Sequence, residues 1–325
     1  MRRYGVMLPH FGEHATRESI LGGARAAEAL GFDSLWLRDH LVYRAHPWES
    51  QDLTFLDPIA VMSAVAAVTE RITLGTGALI PHRHPIHLAL LLGTLDRLAG
   101  PRRLVIGMGL GSSDKEFEAI GMGAVDRREL WSEQMDVLAA LFKGRRVSHH
   151  GAQYHFDDVE IHPVPAAGSV ELWYSGPSDA AVRRAVERCD GWGPVVMPRR
   201  DLVRKLRLAA RLARERGRAR PKVAVRADVS PASTVEEGLR HINLTPIYAN
   251  AARTHLTPPS GAFASAHDLD GMVIAGPPAT IADQVCEYEK LGIDEFVFDL
   301  RARSADWRAC LESIGTAVLP LLRRS

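Results

Sequence analysis

The sequence predicts a (β/α)8 TIM barrel, built as a single domain over residues 1–325 with insertions after its fourth and seventh strands, and three observations carry that reading. Short apolar runs alternate with amphipathic helical segments from end to end, the order expected of repeated strand-helix units. About eight such units fit the chain length, which suits a closed eight-stranded barrel better than an open doubly wound sheet. No Pro/Gly/Ser-rich linker divides the chain, and 46% hydrophobic with 24% charged residues supplies a large core without a disordered composition.

Each element has a local reason. Tyr4 to Leu8 is a compact apolar strand; Thr16 can cap a helix whose Ile20, Ala24, Ala27 and Leu30 share a face, and Gly31 stops it. Ser34 to Leu37 is the second strand, and a long loop then reaches Asp57-Pro58, an N-cap and first-turn pair that opens a helix burying Ile59, Met62 and Val65. Ile72 to Thr76 is the third strand, Pro85 to Leu98 its helix, and Leu104 to Gly107 a fourth strand apolar enough for burial on both faces. A helical stretch from Asp114 to Leu141 and a hairpin-like alternation around Gly151, from Arg145 to Pro165, read as the first insertion. Glu171 to Tyr174, Gly191 to Val196 and Lys222 to Asp228 are the fifth to seventh strands, separated by helices at Ser178 to Cys189 and Arg200 to Arg216. Pro231 to Pro278 is the second irregular stretch, before the helix Ile281 to Leu291 and the eighth strand, Glu295 to Asp299.

Charge and composition exclude several classes of function. With 40 Lys plus Arg against 39 Asp plus Glu, the formal net charge is +1, which gives no general attraction to nucleic acid or to an anionic membrane. Cys189, Cys286 and Cys310 are far apart and form no Cys-x-x-Cys pair, so neither a disulfide framework nor a thiolate zinc site is expected. The apolar run at the N-terminus is too short for a signal-peptide core, and no stretch approaches the roughly 18 to 20 apolar residues of a membrane helix. A cytoplasmic protein is expected.

In such barrels the chemistry sits just beyond the C-terminal ends of the strands. The second strand ends in Arg38-Asp39-His40, an acid and an imidazole able to move a proton near pH 7, or else a capping Asp and a hydrogen-bonded loop His. The third runs into Gly75-Thr76-Gly77-Ala78, where glycines admit either a flat ligand or an ordinary barrel corner. The fourth ends in Gly107, Gly109 and Gly111 before Ser112 and Ser113, a spacing that does not fit the Rossmann fingerprint. The fifth leads to Ser175-Gly176-Pro177-Ser178, where exposed N–H groups of the next helix could hold a phosphate, or Ser178 could be a plain cap. A separate run, His82, His84 and His87, raises a metal-dependent hydrolase; it lies between strand and helix without a matching Lys or Asp, and a loop or cap role is preferred. No metal is expected, and His149, His150 and His155 read as solvated.

Taken in order, these pieces resemble the luciferase-like monooxygenase superfamily, which includes flavin-dependent monooxygenases and coenzyme F420-dependent oxidoreductases. The resemblance rests on Ala27 to Trp36, Asp39-His40-Leu41, Asp57-Pro58, Thr69 to Gly77, Leu95 to Leu98, Arg103 to Gly109, Glu116 to Gly121 and Asp190-Gly191-Trp192. It implies that His40 serves proton transfer or cofactor positioning and that Asp39 contacts the cofactor ring. It further implies a non-proline cis peptide at Gly77-Ala78 behind the ring, cofactor contacts from Gly107, Gly109 and Gly111, and phosphate binding by Ser175, Gly176, Pro177 and Ser178. Glu13, Tyr43 and Trp48 lie on loops that could face a small-molecule substrate. Ser112 stands where many relatives have Trp and some an acid, so a general acid is missing there or supplied elsewhere. The expected function is F420-dependent hydride transfer; the alternative is an FMNH2-dependent monooxygenase with a separate flavin reductase, and a barrel that binds the ring without turnover is the remaining reading. Family habit implies a homodimer.

Overall fold

The computed structural model describes residues 2–253 and 256–324. In chain order its strands are β1 (Arg3–Met7), β2 (Ser34–Leu37), β3 (Thr73–Leu79), β4 (Leu104–Met108), β5 (Val147–His150), β6 (His155–Val159), β7 (Val170–Tyr174), β8 (Gly191–Val195), β9 (Lys222–Pro231), β10 (Val273–Gly276) and β11 (Glu295–Asp299). Parallel pairing runs β1-β2-β3-β4-β7-β8-β9-β11 and returns to β1, so eight strands close into a barrel with helices outside.

Side chains alternate across each strand. On β9, Val223, Val225, Ala227 and Val229 face the helical layer, while Ala224 joins Met7, Trp36, Val105, Trp173 and Val297 inside the barrel. Trp36 and Trp173 sit 5.7 Å apart there, each burying about 200 Å² at about 25 cal/mol per Å², or about 5 kcal/mol. The indole of Trp36 explains a glycine: a Cβ on Gly75 would lie 2.6 Å from its Cε3. Its Nε1 donates to Glu295 Oε1 at 2.7 Å, as the Trp173 indole does to Glu171 Oε2 at 2.9 Å, so both carboxylates are satisfied.

The two insertions are built differently from the rest of the ring. The helical stretch after β4 is two helices, Asp114–Ala119 and Arg127–Leu141, rather than one. Gly121, at φ +75°, breaks the run, and the Asp126 carboxylate recaps the chain by accepting from Arg128 N at 2.7 Å. The hairpin β5-β6 follows, held to the second of these helices because Glu133 accepts from the Gln153 and Tyr154 amides. The seventh barrel strand continues to Pro231, three residues beyond the predicted end, because β10 pairs with its outer edge from Val273↔Asp228 to Gly276↔Pro231. That four-residue strand lies inside the stretch read as irregular. Among the described residues no helix is long and apolar enough to cross a membrane.

Candidate active site

The segment after β2 is braced before it is functional. Asp39 is buried, and its carboxylate accepts from Arg83 Nη1 at 2.6 Å, Arg83 Nη2 at 3.0 Å and Ile80 N at 2.9 Å. Arg83 also donates to Asp57 at 2.6 Å, so one guanidinium ties the loops after β2 and β3 to the start of the helix Pro58–Ala66. Asp57 caps that helix with its other oxygen, accepting from Ile59 N and Ala60 N.

His40 is thereby presented at the rim with defined partners on both nitrogens. Its Nδ1 is 2.7 Å from Glu116 Oε1 and its Nε2 3.1 Å from Arg38 Nη2. A guanidinium only donates, so Nε2 accepts and Nδ1 carries the proton that is donated to Glu116. Arg38 is anchored in turn by Glu49. The ring packs against Phe55 and Tyr43 at 5.3 and 5.6 Å, which fixes its plane. The Glu116 side chain is 3% exposed. It comes from the helix Asp114–Ala119, one turn beyond Ser112, and places a buried carboxylate beside the imidazole.

A cavity of about 420 Å³ opens in front of His40, within the range of small-ligand and cofactor sites. The Gly77-Ala78 peptide, which is cis, and Gly109 form one wall. Gly111 turns the next loop at φ +73°, a left-handed conformation that disfavours side chains. Gly107 lies beneath rather than in the cavity, where a Cβ would come 2.2 Å from Thr76 O. The far end is the turn Ser175 to Ser178: Ser175 Oγ donates to Gly193 O at 2.6 Å, Trp192 Nε1 donates to Gly176 O at 2.9 Å, and Ser178 Oγ accepts from Ala181 N at 3.1 Å. These bonds fix the start of the helix Asp179–Arg188, whose first N–H groups have no acceptor within the helix. Arg184, half-buried, lines the same end, 3.4 Å from the Tyr174 hydroxyl and 5.6 Å from the centre of its ring.

A second, smaller cavity of about 250 Å³ lies over the barrel axis and shares Arg38, His46 and Gly77 with the first. Its charged floor comes from β9 and the end of β11. Asp299 accepts from Arg301 Nε at 2.8 Å, Arg301 Nη2 at 2.7 Å and Arg301 N at 3.1 Å, and pairs with Arg226. Burial works against ionisation, but these two guanidinium groups hold the Asp299 carboxyl below the usual carboxylate range. Asp228 stands beside Asp299 in register and has no side-chain hydrogen bond among the described residues. Burial first, and then the Asp299 charge, push its carboxyl up to about 7.

The structure brings His40, Asp39, Gly77, Ala78, Gly109, Gly111 and Ser175 to Ser178 to the larger cavity and Trp48 to the smaller one, where it stacks on His46 at 4.6 Å. Asp39 reaches that wall with its carboxylate already engaged by Arg83 and Ile80. Tyr43 lies behind His40 with its hydroxyl donating to Glu49 at 3.1 Å, and the exposed Glu13 lines neither cavity. His84 caps the helix Pro85–Ala99. Among the described residues the one His/Cys/Asp/Glu trio within ligating reach is not His82, His84 and His87 but the exposed set His150, His155 and Asp157 on the hairpin. Glu116, Arg83, Arg184, Asp228 and Arg301 are not singled out by the sequence: Glu116 and Arg83 meet His40 and Asp39 from 76 and 44 positions away, and Arg184, Asp228 and Arg301 come to the two cavities only through the folded barrel.

The luciferase-like monooxygenase family model matches residues 3–295, and the chain belongs to that family. An F420-dependent glucose-6-phosphate dehydrogenase of Nakamurella multipartita is 32% identical over 174 residues, covering 52% of this chain and 49% of that protein. The F420-dependent hydroxymycolic acid dehydrogenase of Mycobacterium tuberculosis is 29% identical over 196 residues, 59% of this chain and 52% of the other. The chain thus spans about half the length of these curated relatives. Two solved structures share the fold at a TM-score of 0.78 while covering 99% of both chains: an F420-dependent secondary alcohol dehydrogenase with an F420-acetone adduct, 18% identical, and the FMN-bound oxygenating constituent of 3,6-diketocamphane monooxygenase from Pseudomonas putida, 20% identical.

Proposed function

We propose that this chain is a coenzyme F420-dependent oxidoreductase that moves a hydride between the deazaflavin and a small organic substrate. The observation that carries this reading is the geometry of His40, a neutral imidazole held between Arg38 and Glu116 and facing the larger cavity. The residues present fit the cofactor. A flat wall at Gly77, Ala78 and Gly109 suits a planar ring, and the start of the helix Asp179–Arg188 with the Arg184 guanidinium suits a phosphate at the opposite end. When bound, the deazaflavin supplies the hydride chemistry, and the protein binds, orients and shields. The His40–Glu116 pair can take up or release a proton at the cavity wall, with the Glu116 carboxylate stabilising the imidazolium that forms. Arg83 and Asp39 hold the loops that position the ring, and Trp48, Met7 and Met272 line the smaller cavity as an apolar wall for substrate.

The F420-dependent relatives favour the deazaflavin, whereas the same ring wall would serve FMN in a monooxygenase. Stopped-flow mixing of the purified protein with reduced F420 and, separately, reduced FMN tests the choice. Oxygen-insensitive oxidation of reduced F420 by a substrate library is the expected result. Oxygen consumption with reduced FMN and no F420 turnover would overturn it.

A further inference from the structure

We propose that Asp228 is a second catalytic acid, a carboxyl on the floor of the smaller cavity that hydrogen-bonds a substrate carbonyl oxygen and protonates it. The proposal rests on the F420 reading of the neighbouring cavity. Asp228 follows Arg226 by two residues on the inner face of β9, so both point into the barrel mouth. The register Asp299↔Asp228 sets two carboxyl groups side by side, an arrangement in which both do not readily ionise. Of the cations nearby, Arg226 and Arg301 are bound to Asp299 and Arg38 to Glu49, with Arg301 Nη1 left as a buried donor and His46 on the same cavity wall, while the adjoining strands β8 and β10 bring no charged side chain. Asp228 is left facing the cavity without a partner among the described residues, and a carboxyl there is protonated below about pH 7.

A protonated carboxyl is a hydrogen-bond donor, which an ionised one is not. The remaining walls mix apolar and aromatic side chains, among them Met7, Phe11, Trp48, Val196 and Met272, with the polar His46, Ser50, Asn250 and Ser304, and the volume of about 250 Å³ suits a small ligand such as a ketone or its alcohol. Gly77 lines both cavities, so ligands in the two meet at that residue. In the reductive direction a hydride adds to the carbonyl carbon, the carbonyl π pair takes the Asp228 proton, and an alcohol and an Asp228 carboxylate result. Reduced F420 is oxidised and releases its remaining proton to solvent, from which Asp228 is reprotonated. The reverse direction uses the carboxylate as base.

Two arms test this. Infrared difference spectra of the apoprotein across about pH 5 to pH 9 should show a carboxylic acid band that disappears near pH 7 in wild type and is missing from Asp228→Asn. Cyclohexanone reduction by F420-loaded protein should fall about 100-fold or more in Asp228→Asn, with F420 affinity unchanged, partial recovery in Asp228→Glu, and loss of the wild-type decline above pH 7. An unchanged infrared band, an unimpaired Asp228→Asn enzyme, or a wild type that binds F420 but does not reduce the ketone would each overturn the proposal. A protein that binds no F420 overturns the cofactor reading instead, and the infrared arm still decides whether Asp228 holds its proton.

Discussion

Replacing Asp228 with Asn should stabilise the apoprotein at alkaline pH and leave it nearly unchanged in acid. The folded carboxyl sits at about 7 against an ordinary value of 3.8. Between those values the folded state holds a proton that the unfolded chain has released, so wild-type stability falls as pH rises from about 4 to about 7 and stays lower above that. At 1.36 kcal/mol for each pH unit of separation, the largest deficit is about 4 kcal/mol. Asn has the same shape and never ionises, so the variant escapes the deficit. Asp299 and Glu49 are both held below the usual range, so between about pH 5 and pH 8 the difference reports Asp228 rather than either of them. Urea unfolding of both proteins at about pH 5 and pH 8 measures it: a gap of a few kcal/mol in favour of the variant at pH 8, shrinking toward pH 5. A difference independent of pH, or a variant less stable at pH 8, would refute the assignment of an unpartnered protonated carboxyl.

Further outcomes follow from the rest of the site. Glu116→Gln keeps an oxygen to accept from His40 Nδ1 but removes the charge opposite it; single-turnover hydride transfer should slow about 10- to 100-fold with F420 affinity retained, and equal rates would place the pair outside the chemistry. Arg184→Ala removes the cation at the phosphate end and should raise the F420 Kd about 10-fold, or about 1.4 kcal/mol, by fluorescence titration. Arg83→Met leaves Asp39 buried with only the Ile80 amide as partner, a loss of about 3 to 5 kcal/mol by chemical denaturation, accompanied by weaker cofactor binding.

The barrel was legible because strands such as Leu104 to Gly107 are short, apolar and bounded by turn residues, and because Asp57-Pro58 and Ser178 announce helix starts in their own chemistry. β10 was not legible: four residues, Val273 to Gly276, carry no alternation and are held by the outer edge of β9. The break between Ala119 and Arg127 was missed because apolar residues continue on both sides of Gly121. At the site, His40 could be picked out from its place after a strand, whereas its partner Glu116 lies 76 residues away. The pairing of Asp228 with Asp299, 71 positions apart in sequence and adjacent in the sheet, likewise exists only once β9 and β11 are neighbours. Glu13 shows the converse, a charged loop residue near a strand end that the folded chain leaves in solvent.

The central claim is that the cavity before His40 holds a deazaflavin. Parallel fluorescence titrations of the purified apoprotein with F420 and FMN at equal ionic strength test it most directly. The expected result is saturable F420 binding at least 10-fold tighter than FMN, weakened by Arg184→Ala and unaffected by Asp228→Asn. Tighter FMN binding, or F420 binding indifferent to Arg184, would contradict it.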